Sequence, residues 1–352
     1  MKKVLMASSA IVGATVLAAS PAAAQELTLN AFQVFVASAG DSDEDSSDRG
    51  FAFSTNTEIH VKGEIMADNG ITFGFRVEIE ADSGEDNNVD ENSIYAQGSF
   101  GKLEFGNNDG AEDTFMVNGS NSGVDYGGIG NPTSNFLEDA FGGSAPTSVD
   151  MADSSDSTKI TYTTPNFNGF SAGISYTPDT EDGSDGNGFN NANPEGIHDH
   201  IGLGLGYDGE FNGVGVELGL VAGFGTFDDE PEDDLFNIGG GAAISYAGFT
   251  FAAGAFWQDA DGGGPTTEIV GESWAVDAGI GYATGPWSFS VNGIISEDDN
   301  TSDELLAGSA NVGYQVAPGV RVFLTGYVGE EDLGAGGSND IVAVTSGLAV
   351  SF

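Results

Sequence analysis

Basic side chains are so scarce in this chain that each position carries information: eight Lys and Arg stand against 55 Asp and Glu, with three His and no Cys. Alternate residues of an extended chain point the same way. Arg76 and Lys62 therefore share one face of their segments with Glu58, Glu78, Glu80 and His60. Lys102, Lys159 and Arg321 fall on comparable polar faces. An aqueous gap with these cations on one side and Asp109, Glu112, Asp113, Asp125, Glu138 and Asp139 on the other would carry a transverse field that tunes ion passage. The plainer alternative is local salt bridging of surface charges, worth little energetically. Lys62 and Lys102, near the turn ends of their segments, fit that alternative. Arg76, in mid-segment, fits a constriction better.

Other chemistries find less support. His198-x-His200 offers two imidazoles without a third ligand at metal spacing, so solvated histidines are the simpler reading. No Gly-x-Ser-x-Gly stands at a strand-to-helix turn, and acidic pairs are too abundant for one to be singled out as a hydrolytic dyad. The residues point to no enzyme, no catalytic group and no cofactor. The run Asp41-Ser42-Asp43-Glu44-Asp45 offers oxygen ligands for weak divalent cation binding but lacks the spacing of an EF-hand.

The compartment is written at the start. Lys2 and Lys3 precede a small, apolar run over 4–19, and Pro21-Ala22-Ala23-Ala24 offers an Ala-x-Ala cleavage site before Gln25. This is the pattern of an export signal over 1–24, leaving 25–352 as one domain. Cleavage would remove two of the eight basic residues and no acid, leaving six against 55 and a net charge near −49. Such a charge excludes nucleic acid as a partner, because phosphate binding requires basic residues in number. Without Cys there is neither a disulfide nor a thiolate metal site. No apolar run after residue 24 is long enough for a transmembrane helix, which leaves barrel strands open.

The elements that must position these side chains are strands. Phe51, Phe53, Thr55, Thr57, Ile59 and Val61 alternate with polar neighbours, as do Ile71, Phe73, Phe75, Val77 and Ile79. Strict alternation marks a strand with one apolar and one wet face. Sixteen such segments are predicted, at 26–37, 50–65, 71–82, 91–99, 102–107, 158–165, 169–176, 199–208, 213–224, 236–247, 249–258, 272–284, 286–297, 304–316, 319–328 and 340–352. Their connections alternate in kind. Short Gly- and Pro-containing turns, such as 67–70, 208–210, 247–248 and 317–319, alternate with long acidic ones. Antiparallel neighbours then place all short turns at one end and all long loops at the other, the pattern of an outer-membrane barrel rather than a soluble sandwich. Trp257, Trp274, Phe51 and Phe224 near the loop ends, with Trp287, Phe249 and Phe170 near the turn ends, suggest two aromatic girdles. The stretch 107–157 is rich in Gly, Asn, Ser and Asp and lacks a helical or strand period. A connection that long inside a compact domain is functional, disordered or a sign of wrong element assignments, and this one is expected to fold into the lumen and narrow it.

The chain resembles the general diffusion porins of Gram-negative bacteria, especially the alphaproteobacterial type. The resemblance rests on the export signal leading into an amphipathic strand and on Gly98-Ser99-Phe100-Gly101-Lys102-Leu103-Glu104-Phe105-Gly106, similar to the family's hairpin before its infolded third loop. The terminal Phe352, closing an alternating strand, is the third feature. The resemblance implies an all-β, 16-stranded antiparallel transmembrane β-barrel with the long third loop in its lumen, usually a homotrimer embedded in outer-membrane lipid. It implies Asp109, Glu112 and Asp113 as eyelet acids facing Arg76 on the wall. The family commonly sets several basic residues against those acids, and here few are available. Passive diffusion of small hydrophilic solutes and cations through a negative pore is the expected function. Two other readings compete: an acidic soluble or surface β-rich protein of a salt-loving organism, and a non-conducting barrel used for adhesion.

Overall fold

The computed structural model describes residues 25–42, 50–81, 89–123, 151–180, 197–227, 234–260, 271–298, 302–333 and 337–352. The export-signal segment 1–24, most of 41–45, and Asp125, Glu138 and Asp139 lie outside the described residues. Sixteen strands run through the described chain. They are β1 (Gln25–Ser42), β2 (Phe51–Met66), β3 (Thr72–Glu80), β4 (Val89–Gly98), β5 (Gly101–Asn107), β6 (Thr158–Thr163), β7 (Phe170–Asp179) and β8 (Ile197–Phe211). The second half comprises β9 (Val214–Phe227), β10 (Asp234–Tyr246), β11 (Phe249–Ala260), β12 (Gly271–Thr284), β13 (Trp287–Asp298), β14 (Asp303–Ala317), β15 (Val320–Leu333) and β16 (Ser338–Ser351).

Each strand pairs antiparallel with its sequence neighbours, and β1 pairs with β16 from Phe32↔Ser351 to Ser42↔Ile341, closing the barrel. Closure removes both sheet edges, so wall amides find partners within the wall even where lipid offers none. The outer face carries the large apolar side chains: Phe73, Ile94, Leu205, Phe251, Val291 and Val344 are all exposed. The inner face takes the intervening polar and small residues. A barrel of this strand number leaves an aqueous interior.

Aromatic rings gather at both rims. Phe224, Phe236 and Trp257 stack in sequence near the loop end, with centroids 5.2 and 5.9 Å apart. Phe249 meets Tyr282 at 4.4 Å and Trp287 meets Tyr314 at 4.7 Å near the turn end. Such rings suit the boundary between hydrocarbon and water, where an apolar body and a polar tip are both satisfied.

Three expectations need adjusting. The β8–β9 turn is not at 208–210 but at Asn212-Gly213, with φ of 52° and 83°. Both residues of this turn need positive φ, which Asn-Gly adopts at least cost, so pairing runs past Gly209 to Phe211↔Val214. The acidic end of β15 is strand rather than loop: Glu330, Glu331 and Asp332 pair with Asp340, Asn339 and Ser338. Backbone pairing continues beyond the apolar band because water tolerates charged side chains on a hairpin. β1 likewise extends to Ser42, five residues past its predicted end at 37.

The wall is uneven in height. β1 has 18 residues and β2 has 16, whereas β5 has 7 and β6 only 6. Leu205 lies halfway along β8 on the lipid-facing surface. Leu205→Lys should therefore destabilise the barrel by about 2–4 kcal/mol, measured by urea titration in lipid vesicles. Asp68→Lys, in the exposed β2–β3 turn, should leave the midpoint unchanged.

Candidate functional site

The described parts of 107–157 are 108–123 and 151–157. After β5 the chain makes one helical turn, α1 (Ala111–Thr114), and then a 3-10 turn at Gly119–Ser122. α1 lies against β6–β9 and the 3-10 turn against β10–β13. Glycine makes this possible. Gly206, Gly219, Gly241 and Gly254 are successive cross-strand partners on β8, β9, β10 and β11. A Cβ on any of the four would collide with the loop, on Phe115, Val117 or Asn118. The bare backbone forms a flat bed on which the loop lies at van der Waals distance. The row ends at Asp277 on β12, the partner of Gly254. Its carboxylate accepts the Gly119 amide at 2.6 Å and the Gly254 amide at 3.0 Å. Further on, Ser122 Oγ donates to Asn292 Oδ1 at 3.1 Å. On the returning limb, the Ala152 amide donates to Gln258 Oε1 at 2.8 Å.

With the loop bedded on β7–β13, open space remains on the other side, against β3–β6. A cavity of about 580 Å³ is lined there by Asn108, Asp109 and Thr114 of the loop and by Arg76, Lys102 and Glu104 of the wall. It continues toward the short turns past Gln97, Thr163 and Asn166.

The wall of this passage is a lattice of paired charges. Arg76 contacts Glu91 through Nη2 and Glu78 through Nε at 3.4 Å. His60 lies 2.8 Å from Glu58 and 3.0 Å from Glu78. Lys62 pairs with Glu64 at 3.2 Å, and Lys102 pairs with Glu104. Tyr95 stands between the two lysines, whose ammonium groups lie 5.8 and 4.9 Å from its ring centre, and donates to Glu64 at 2.7 Å. Gly74 leaves room for that ring.

Of the residues singled out from sequence, Asp109 and Arg76 meet across the cavity. Glu78 and Glu58 belong to the lattice beside it, and Glu80 gathers with Glu58 and Asp90 at the loop end of β3. Asp113 is exposed on α1. Glu112 lies elsewhere than the eyelet: it is fully buried between loop and wall, because the turn of α1 aims it at β7 and β8 rather than at the passage. Arg321 is the second residue of β15, at the turn rim, away from the residues lining the cavity. The two histidines of β8 are not solvated as expected: both are buried against the wall, His198 3.9 Å from Asp179 and His200 3.6 Å from Glu112. Sequence reasoning missed Glu91 and Asp156. Their carboxylates come within 4.8 Å of Asp109, one from β4 and one from the returning limb. No local spacing joins residues 91, 109 and 156. Burial, followed by the charges of Asp90 and Asp109, pushes the Asp156 carboxyl up to about 6.

A family model for the Gram-negative porin matches residues 7–333. Similar solved structures include the anion-selective porin from Comamonas acidovorans, at 16% identity over 94% of this chain and 100% of that one, with a TM-score of 0.65. OmpT of Vibrio cholerae in its trimer form is 12% identical over 93% of this chain and 99% of that one, with a TM-score of 0.62. A mutant of the Rh. blastica porin is 17% identical over 93% and 100%, with a TM-score of 0.59. A search among curated protein sequences finds no match. At these identities the solved structures bear on the fold alone, a closed barrel that this chain shares with them. The family model spans most of the chain, and the chain belongs to the Gram-negative porin family.

Proposed function

We propose that this outer-membrane porin passes small hydrophilic solutes by passive diffusion and prefers cations, with Asp109 on the loop and Arg76 on the wall at its narrowest point. The observation that carries the reading is the cavity between them, whose lining cations Arg76 and Lys102 are each held by a carboxylate. Arg76, Lys62 and Lys102 are each matched by Glu91, Glu64 or Glu104, so they oppose Asp109 weakly. Glu58, Glu80, Asp90 and Asp156 add negative charge at and above the passage. The anion-selective Comamonas acidovorans porin shares the fold, but selectivity depends on the few side chains at a constriction, and at 16% identity those need not correspond. Asp113, exposed on α1, contributes to the field at longer range. Acidic groups that neither cations nor burial neutralise also provide for weak divalent cation binding at the mouth.

Assembly is proposed from the uneven wall. At about 3.3 Å per residue, the six or seven residues of β6 and β5 fall short of the apolar band, about 25 Å tall, once tilted. Their outer face nonetheless carries the exposed side chains Phe105 and Ile160, beside Ile94 of β4. Further copies of the chain, in a homotrimer, would cover that low side. Residues 1–24 are proposed as the export signal, removed before Gln25.

Reversal potentials across a KCl gradient in planar bilayers test the selectivity. A cation preference is expected, weakening as salt screens the charges; equal or anionic permeability would overturn it. Asp109→Asn should reduce the preference. Because the Asp156 carboxyl is charged above about pH 6 and protonated below it, the preference should also weaken as the pH falls through that value. Asp156→Asn should begin lower and lack that step. For assembly, Ile94→Asp should convert a trimer to monomers on an unheated detergent gel, while wild-type protein migrates as the trimer. Absence of conductance altogether would favour a non-conducting, adhesive barrel.

A further inference from the structure

Behind the open passage lies a second set of charged groups that no solute touches. Glu112 and His200 are 0% exposed and Lys159 is 2% exposed, all on the loop side of the wall. Lys159, near the start of β6, donates to the carbonyl oxygens of Asn108 on the outgoing limb and of Ser154 and Ser155 on the returning limb. Three carbonyls match the three N–H donors of an ammonium group. The carboxylates that act on Lys159 are Glu112, Asp156, Asp153 and Asp109, all four of them on the loop. Glu112 in turn accepts from Ser154 Oγ at 3.1 Å and from Ser175 Oγ of β7 at 3.0 Å. Ser175 Oγ also accepts the Ala111 amide at 3.1 Å. The site is shaped for this carboxylate: a Cβ on Gly202 of β8 would overlap it.

We propose that Lys159 and Glu112 form an internal fastener that ties both limbs of the third loop to β6 and β7 and so sets the width of the passage. They are positioning residues, and the assignment rests on reading that passage as the diffusion pore. The wall thereby spends a scarce cation where it cannot contribute to ion selectivity. Removing either takes away compensation from a charge that stays buried, a damaging change to coupled buried groups. The relief available to the protein is to release the loop and let water reach the remaining charge. Removing both together leaves no lone charge and should be milder than either single change suggests.

The test uses full-length protein in planar bilayers, with neutral polyethylene glycols of graded size as gauges of width. Lys159→Met and Glu112→Gln should each admit larger polymers and raise single-channel conductance in molar KCl by about twofold, as expected of a wider water-filled path. The double variant should lie closer to wild type. Asp68→Asn, in the exposed β2–β3 turn and away from the cavity, should leave the polymer cut-off unmoved. An unchanged cut-off in both single variants, with heat-modifiable migration intact, would overturn the proposal. Should Lys159→Met fail to assemble, Glu112→Gln, nearly isosteric and able to keep an acceptor oxygen, decides alone. If wild-type protein conducts nothing, the pore reading itself fails, an outcome distinct from an unaltered cut-off.

Discussion

A wall with lipid on one side must satisfy its own backbone, and the rest of this structure follows from that constraint. Unpaired amides in hydrocarbon cost several kcal/mol each, in order-of-magnitude terms. The sheet therefore closes, β1 against β16, and alternate side chains are committed to two different solvents. The period-two rhythm that puts Phe73, Phe75 and Val77 outward puts Gly74, Arg76 and Glu78 inward. Every charged or small residue of the inner face is thereby delivered to one enclosed space.

Closure alone would leave a wide hole. The described parts of the third loop, 108–123 and 151–157, lie against one half of the inner wall, and that half is built to receive them. The row Gly206, Gly219, Gly241 and Gly254 lacks the side chains that would hold the loop away. Asp277 at the end of the row grips the loop through the Gly119 amide. Space is therefore left on the opposite side, where β2–β5 carry the charged lattice. The division of the wall into a bare half and a charged half is what turns an eight-to-eight arrangement of strands into an off-centre passage. It also separates two tasks for charge: Asp109 and Arg76 face water, whereas Lys159 and Glu112 work out of its reach.

Scarcity of cations sharpens that division. Among the described residues, Arg76, Lys62 and Lys102 each pair with a glutamate, so none of these three stands free opposite the loop. The lattice Glu58–His60–Glu78–Arg76–Glu91 holds its members in place through mutual contacts. Partly buried pairs of this kind resist screening better than exposed ones, so the wall keeps its shape.

Much of the fold was legible in the sequence because alternation is a local property. All sixteen strands and the two rims of aromatics follow from residue order and connection length; of the expected infolding of 107–157, residues 124–150 lie outside the described residues. Pairing ran past the predicted boundaries at Ser42, at Asn212-Gly213 and at Glu330–Asp332, whereas β3 and β6 end two residues short of theirs. The site was legible by half. Arg76 could be placed inward by counting, and Asp109 by its position after the β4–β5 hairpin. Whether an inward residue meets solute was not legible, since that depends on what lies across the lumen from it. Lys159 and Arg76 have equivalent parity, yet one is sealed beneath carbonyls and the other lines the passage. Glu112 and Asp109 are three residues apart, yet a single turn of helix sends them to opposite sides of the loop. The glycine bed shows the same limit: 55 glycines can be counted along the chain, but their alignment into a row exists only through strand register. Local order decided which way each side chain points; contacts between distant segments decided what it finds there.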